Sequence, residues 1–165
     1  RCYGDIRVSS ISGSGDIEVG GDIICDEITF TGKLRCNGDI VCSGNLSVNG
    51  SLGTHHISGQ TVRLNGVLKG HDVNSRALEV HPLRSTMFSR FDMDGYEDGS
   101  TVRHITAVTV EANHLQCQTL TADSAMLRNG SAVESATCAT AIGIDRTSSV
   151  LLVNGDCQRI HLKTA

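Results

Sequence analysis

GKLRCNGDIVCSGNLSVNG, residues 32–50, is one short phrase written three times. Gly32-Lys33-Leu34-Arg35-Cys36-Asn37 is followed by Gly38-Asp39-Ile40-Val41-Cys42-Ser43 and then by Gly44-Asn45-Leu46-Ser47-Val48-Asn49. Each unit reads Gly, a polar residue, Ile or Leu, any residue, Val or Cys, and a closing polar residue. An apolar pair at i and i+2 has the period of a strand, so both side chains leave one face of it. The Gly-polar pair ahead of it supplies a corner, because Gly reaches positive φ and Asn or Asp tolerates it.

Working outward, Ile6, Ile23, Ile40 and Ile57 follow one another at 17-residue steps, the first three preceded by Gly-Asp and the last by His55-His56. A second register runs Gly15-Asp16-Ile17, Gly32-Lys33-Leu34 and Gly50-Ser51-Leu52, and a third runs Ile28, Leu46 and Leu64. Internal periodicity of this kind marks a stacked architecture. Three apolar anchors per 17 or 18 residues predict an all-β fold, a single-stranded parallel β-solenoid with three-sided coils, expected as a right-handed β-helix. Roughly eight coils at the strand spacing would make a stack ~40 Å long.

The columns fade after Leu68, although Val62 and Val80 carry a coil to about Pro82. They return as Val110, Leu127 and Ile144, as Leu115, Val133 and Leu151, and as Leu120 with Cys138. The whole chain, 1–165, is therefore read as one solenoid domain with an inserted loop or short helix at about 84–104. That insert holds Phe88 and Phe91 and the acidic residues Asp92, Asp94, Glu97 and Asp98.

Composition agrees with a thin, repetitive core. There are 18 Gly, one Pro, no Trp and only three Phe and two Tyr, so burial must come from small and branched aliphatics rather than aromatics. The net charge of −4, without a basic stripe, argues against nucleic acid. No apolar run has the length of a membrane span, and nothing in the sequence speaks to membrane association. Seven Cys without the spacing of a disulfide framework favour a reducing, cytoplasmic setting.

No catalytic, cofactor or metal site is expected. The acidic insert fails the EF-hand pattern, since Glu97 stands where Gly is required. Asp5, Asp22 and Asp39 would stack one coil apart, either each held by hydrogen bonds from its own corner, the favoured reading, or with a cation between them. Cys25 and Cys42 read as buried filler beneath Val8. The His residues look scattered, and none is read as flanked by a recognisable nucleophile or carboxylate partner of a catalytic set. Gly13-Ser14-Gly15 lacks the third Gly of a dinucleotide loop, and Glu27 stands where a phosphate loop before Gly32-Lys33 needs Gly. Ile24 and Val41 fall on the outer face as isolated aliphatics.

At its Gly-Asp-Ile-x-Cys/Val units, clearest over 4–68 and weaker over 105–162, the chain resembles the bactofilins, a family of cytoskeletal proteins. That resemblance implies a non-enzymatic polymer former whose solenoid joins end to end, independently of nucleotide, with itself as partner. Missing end caps point the same way, because unpaired strand edges stack on neighbours. The predicted self-assembly residues are Ile6 and Val8 at one end and Ile160 and Leu162 at the other. Two alternatives differ in class. One is a non-polymerising adaptor that binds a protein partner through the insert, where Arg84, Arg90 and Arg103 lack the context of a GTPase-activating Arg. The other is a hexapeptide-repeat acyltransferase, disfavoured by the 17-residue steps.

Overall fold

The computed structural model describes residues 1–82 and 99–163. Among these there is no helix, and parallel strands stack into a β-solenoid of about eight turns. The N-terminal coils are built from β1 (Ile6–Arg7), β2 (Ser10–Val19), β3 (Ile23–Cys25), β4 (Glu27–Cys36), β5 (Ile40–Cys42) and β6 (Asn45–Gly53). A long β7 (His56–His81) bends around its corners without a break. The stack continues through β8 (Ser100–Thr106), β9 (Thr109–Asn113), β10 (Leu115–Arg128), β11 (Ala132–Ile144), β12 (Ser149–Asn154) and β13 (Gln158–His161).

Every strand pair is parallel and joins equivalent positions of neighbouring coils. Ile6 faces Ile23, Ile23 faces Ile40, and Ile40 faces Ile57. Ile17, Leu34, Leu52 and Leu68 form a second inward column, and Ile11, Ile28, Leu46 and Val62 a third. Ile23, Ile28, Ile40, Leu46, Leu52, Val62 and Leu68 are wholly buried. Each such side chain contributes roughly 1.5–3 kcal/mol of burial. Phe30 is the one buried aromatic among the described residues, stacked between Gly13 and Val48. The core is thus an axial file of aliphatics.

In places the strict 17- or 18-residue step gives the wrong neighbours. Leu46 faces Val62 rather than Leu64, and Val110 faces Ala125 rather than Leu127. Val133 sits on Cys117 instead of Leu115, and on Val150 instead of Leu151. Leu120 faces Ala136, not Cys138. Coil length changes because the corners differ by a residue or two, and a register shift between Ala122 and Ser124 adds one more. Of the interval 84–104 read as an insertion, Ser100–His104 lies in β8, paired with β7 and β10. Residues 84–98, including Arg84, Phe88, Arg90, Phe91 and the acidic cluster, lie outside the described residues.

Two kinds of glycine set the corners. Gly32 and Gly50 have φ of 125° and 138°, and a Cβ on either would run into the carbonyl of the glycine one coil before. Gly21 and Gly38 do not have positive φ, contrary to the sequence reading; they are glycine for lack of room. A Cβ on Gly38 would strike the Asp22 carboxylate and lie 2.8 Å from the Gly21 carbonyl oxygen. Toward the C-terminus the lock is Asp145, 4% exposed. Its Oδ2 accepts the Asn129 N–H at 2.9 Å, and its Oδ1 accepts the Thr147 N–H, the Thr147 hydroxyl and the Ser148 N–H at 3.0, 2.8 and 2.9 Å.

Gly38→Ala is expected to cost about 1–3 kcal/mol through overpacking. Gly53→Ala, where nothing lies within 4 Å of the added carbon, stays within about 0.5 kcal/mol or stabilises slightly. Equal urea midpoints for the two variants would contradict the packing argument. Asp145 gives a pH test. Burial pushes its pKa up, but the hydrogen bonds it accepts more than offset this and leave it at about 2. A carboxylate depressed on folding stabilises the fold above its unfolded pKa of ~3.9 and loses that contribution as pH falls through the folded value. Asp145→Asn should therefore be less stable than the parent at pH 7, with the gap closing between about pH 4 and pH 2; thermal melts across that range measure it.

Candidate functional site

The two ends of the stack present different surfaces. At the N-terminal coil, β1 pairs only with β3; β2 pairs with β4, and its outer edge is covered only at Val19, by a bridge to Cys2, so the rest of that edge is unpaired. Ile6, Ile11 and Ile17 are half-buried and Val8 is 45% exposed. Val8 belongs to the inward column of Cys25 and Cys42, as the sequence reading held: its N–H donates to the Ile24 carbonyl, and Cys25 faces Cys42. The Arg1 guanidinium crosses to Glu18 at 2.6 Å on the flank of this coil and leaves the apolar columns open.

The C-terminal coil departs from the sequence reading. β13 aligns Arg159 with Ile142, Ile160 with Gly143 and His161 with Ile144. The inward places therefore belong to Arg159 and His161. Ile160 stands in the outward column of Glu79, Glu111 and Met126, 38% exposed. Leu162, half-buried, lies over Gly143 on that same outer side. The i, i+2 pair was read one residue out of phase because β13 follows a turn at Gly155 whose length the repeat does not fix. The apolar residues half-buried on this end are Val150 and Val153 of β12, over Val133 and Ala136, with Cys157 in the turn that follows. A column traced through Cys117 and Val133 would have found Val150.

One flank carries a file of ionisable residues. Asp22 N–H donates to Asp5 Oδ1 at 2.9 Å, and Asp39 N–H donates to Asp22 Oδ1 at 2.8 Å. The Asp5 and Asp22 carboxylates therefore cap the next coil rather than their own corners, which is what denies Gly21 and Gly38 a side chain. The file continues through His56, Asp72 and His104, with His56 Nδ1 at 2.8 Å from Asp72 Oδ2 and Asp72 facing His104. In the column beside it, His55 and His71 stand on neighbouring coils. Four of the seven His thus share three coils, and they do not lie scattered. The signal was a 16-residue step, from His55 to His71 and from His56 to Asp72, hidden by anchoring on 17.

Five of the seven thiols are sequestered, and Cys2 and Cys157 are half-buried. Cys25, Cys36, Cys42, Cys117 and Cys138 are buried and free. Burial, with a smaller push from the Cys42 thiol, raises Cys25 to about 12, and burial, helped slightly by the Glu134 charge, takes Cys117 to about 12. Such groups stay protonated at neutral pH and pack as small apolar side chains. Ile24 and Val41 are 37% and 44% exposed on the outer face, a strip that ends at Ser58. Arg103 is exposed on β8.

The class defined by this geometry is a parallel β-solenoid with one apolar, open-edged end and a titratable flank. No family model, curated protein or solved structure matches the chain. Among the described residues, no helix is long and apolar enough to cross a membrane.

Proposed function

We propose that this chain is a structural, non-enzymatic protein whose solenoid adds copies of itself end to end, without nucleotide, to form filaments one solenoid wide. The observation that carries the reading is the exposure of inward columns at the two ends. Ile6, Ile11 and Ile17 are only half-buried, while their counterparts one coil on, Ile23, Ile28 and Leu34, are 0–1% exposed. At the far end, Val150 and Val153 are half-buried over Val133 and Ala136, which are 2% and 0% exposed.

Seating the first coil of one copy on the last coil of another would continue the same columns and extend the parallel ladders to unpaired strand edges. The two surfaces are different, so the contact is heterologous and has no need to close into a ring. Ile6 and Val8, with Ile11 and Ile17, would form one side, and Val150 and Val153 the other. Arg159 and His161 limit the apolar contact to the part of the terminal coil built from β12. The resemblance of the Gly-Asp-Ile units to bactofilins supports the same reading and suggests a cytoplasmic, cytoskeletal role.

Negative-stain microscopy of the purified chain should show narrow fibres without nucleotide. Val8→Arg would bury an unpaired charge in the contact, at a cost of several kcal/mol, and should abolish fibres. In the free subunit the same Arg reaches water, so the melting temperature should hardly move. Ser58→Arg, exposed in the middle of the stack, should still assemble. A monodisperse monomer for the parent chain, or fibres undiminished by Val8→Arg, refutes the proposal.

A further inference from the structure

The repeat grammar of the N-terminal half breaks at one corner. Columns that read Gly4-Asp5, Gly21-Asp22 and Gly38-Asp39 become His55-His56 and then His71-Asp72. A position that simply had to turn the chain would keep Gly-Asp, since that pair already solves the corner by hydrogen bonding across coils. Local departures from an otherwise consistent pattern are where function is placed.

The replacement brings two imidazoles together. His55 Nδ1 and His71 Nδ1 are 3.5 Å apart, with ring centroids 4.9 Å apart and planes at 75°. Two nitrogens bound to one tetrahedral zinc at ~2.0–2.1 Å stand about 3.3–3.4 Å from each other. The pair therefore already has nearly the spacing of two ligands on a single ion. His55 is exposed and His71 half-buried, so an ion can arrive from solvent. Their backbones are tied by the His71 N–H donating to the His55 carbonyl at 3.0 Å, which holds the two rings on adjacent coils.

The surrounding charge is mixed. Asp72, paired with His56 at 2.8 Å, and Asp39, one coil earlier in the same file, favour a cation, while His71 falls opposite Arg103 on the coil that follows. That Arg confines the site to the two coils carrying His55 and His71. Among the described residues no three His, Cys, Asp or Glu side chains converge on one point, so an ion held by this pair would take its remaining ligands from water. From these contacts we infer that His55 and His71 form a two-nitrogen surface site for a divalent transition ion, with exchangeable positions open to solvent.

The competing account is a plain ladder hydrogen bond, as between Asn65 and Asn49 at 2.6 Å. Zinc chloride titrated into the purified chain, followed by calorimetry and by thermal melting, separates the two. The parent should bind one equivalent and melt at a higher temperature with zinc, because an ion that binds only the folded chain stabilises it. His55→Gln and His71→Gln should each weaken zinc at least tenfold, while His161→Gln, at the terminal coil, binds as the parent does. Both variants sit at an accessible corner, and unchanged circular dichroism establishes that they fold. Absence of zinc binding by the parent, or equal affinity in His71→Gln, overturns the site and leaves the ladder account.

Discussion

In-register stacking governs this molecule: each residue lies one strand spacing, ~4.8 Å, from its counterparts on the coils before and after. Whatever a position contributes, it contributes beside near-copies of itself. For aliphatics this is wholly favourable, and Ile6, Ile23, Ile40 and Ile57 make a continuous apolar file. For charges it is not. Two carboxylates at that spacing repel by about 3–4 kcal/mol at an effective dielectric of 20. The chain answers by giving the Asp5 and Asp22 carboxylates an N–H of the following coil, from Asp22 and Asp39 respectively. Beyond Asp39 the file alternates imidazole and carboxylate instead, through His56, Asp72 and His104.

The same rule explains the glycines. A carboxylate directed at the next coil occupies the volume that a side chain at Gly21 or Gly38 would need. Gly and Asp in this dipeptide are thus one device acting between coils: the Asp of one coil requires the Gly of the next. At the second corner the demand is conformational, and the positive φ values of Gly15, Gly32, Gly50 and Gly66 line up down the stack. In the C-terminal half, non-glycine residues take up such values, with His114 at 55° and Asn129 at 54°. The Asn129 amide there donates to Asn113 Oδ1 at 2.6 Å, a side-chain rung that accompanies the backbone turn.

A stack of coils has no internal reason to stop, and its two terminal surfaces are not equivalent. The first coil offers Ile6, Val8, Ile11 and Ile17, whereas the last mixes Val150 and Val153 with Arg159 and His161. An axial direction is therefore written into the surface chemistry. The outer flanks change character along that direction too. Arg7, Ile24, Val41 and Ser58 occupy one outward column near the start, and Thr106, Thr121 and Thr137 occupy its continuation.

The residues themselves announced the solenoid. Period-two apolar pairs behind Gly-polar corners, repeated every 17 residues over 4–68, admit few other folds, since only stacked coils bury a face that short strands cannot bury alone. They also announced Val8 over Cys25 and Cys42. The assembled stack alone decided which residue sits on which once coil length began to vary. A corner shorter or longer by one residue leaves the local pattern intact but slides every later neighbour, and a one-residue slip turns a strand's faces over. That is why Ile160 looks inward in the sequence and stands outward in the fold, and why Leu151 gave way to Val150. It is also why His55 and His71 become neighbours only in three dimensions: sixteen residues separate them, and the coil that closes that gap is set by hydrogen bonds between strands rather than by any signal at either histidine.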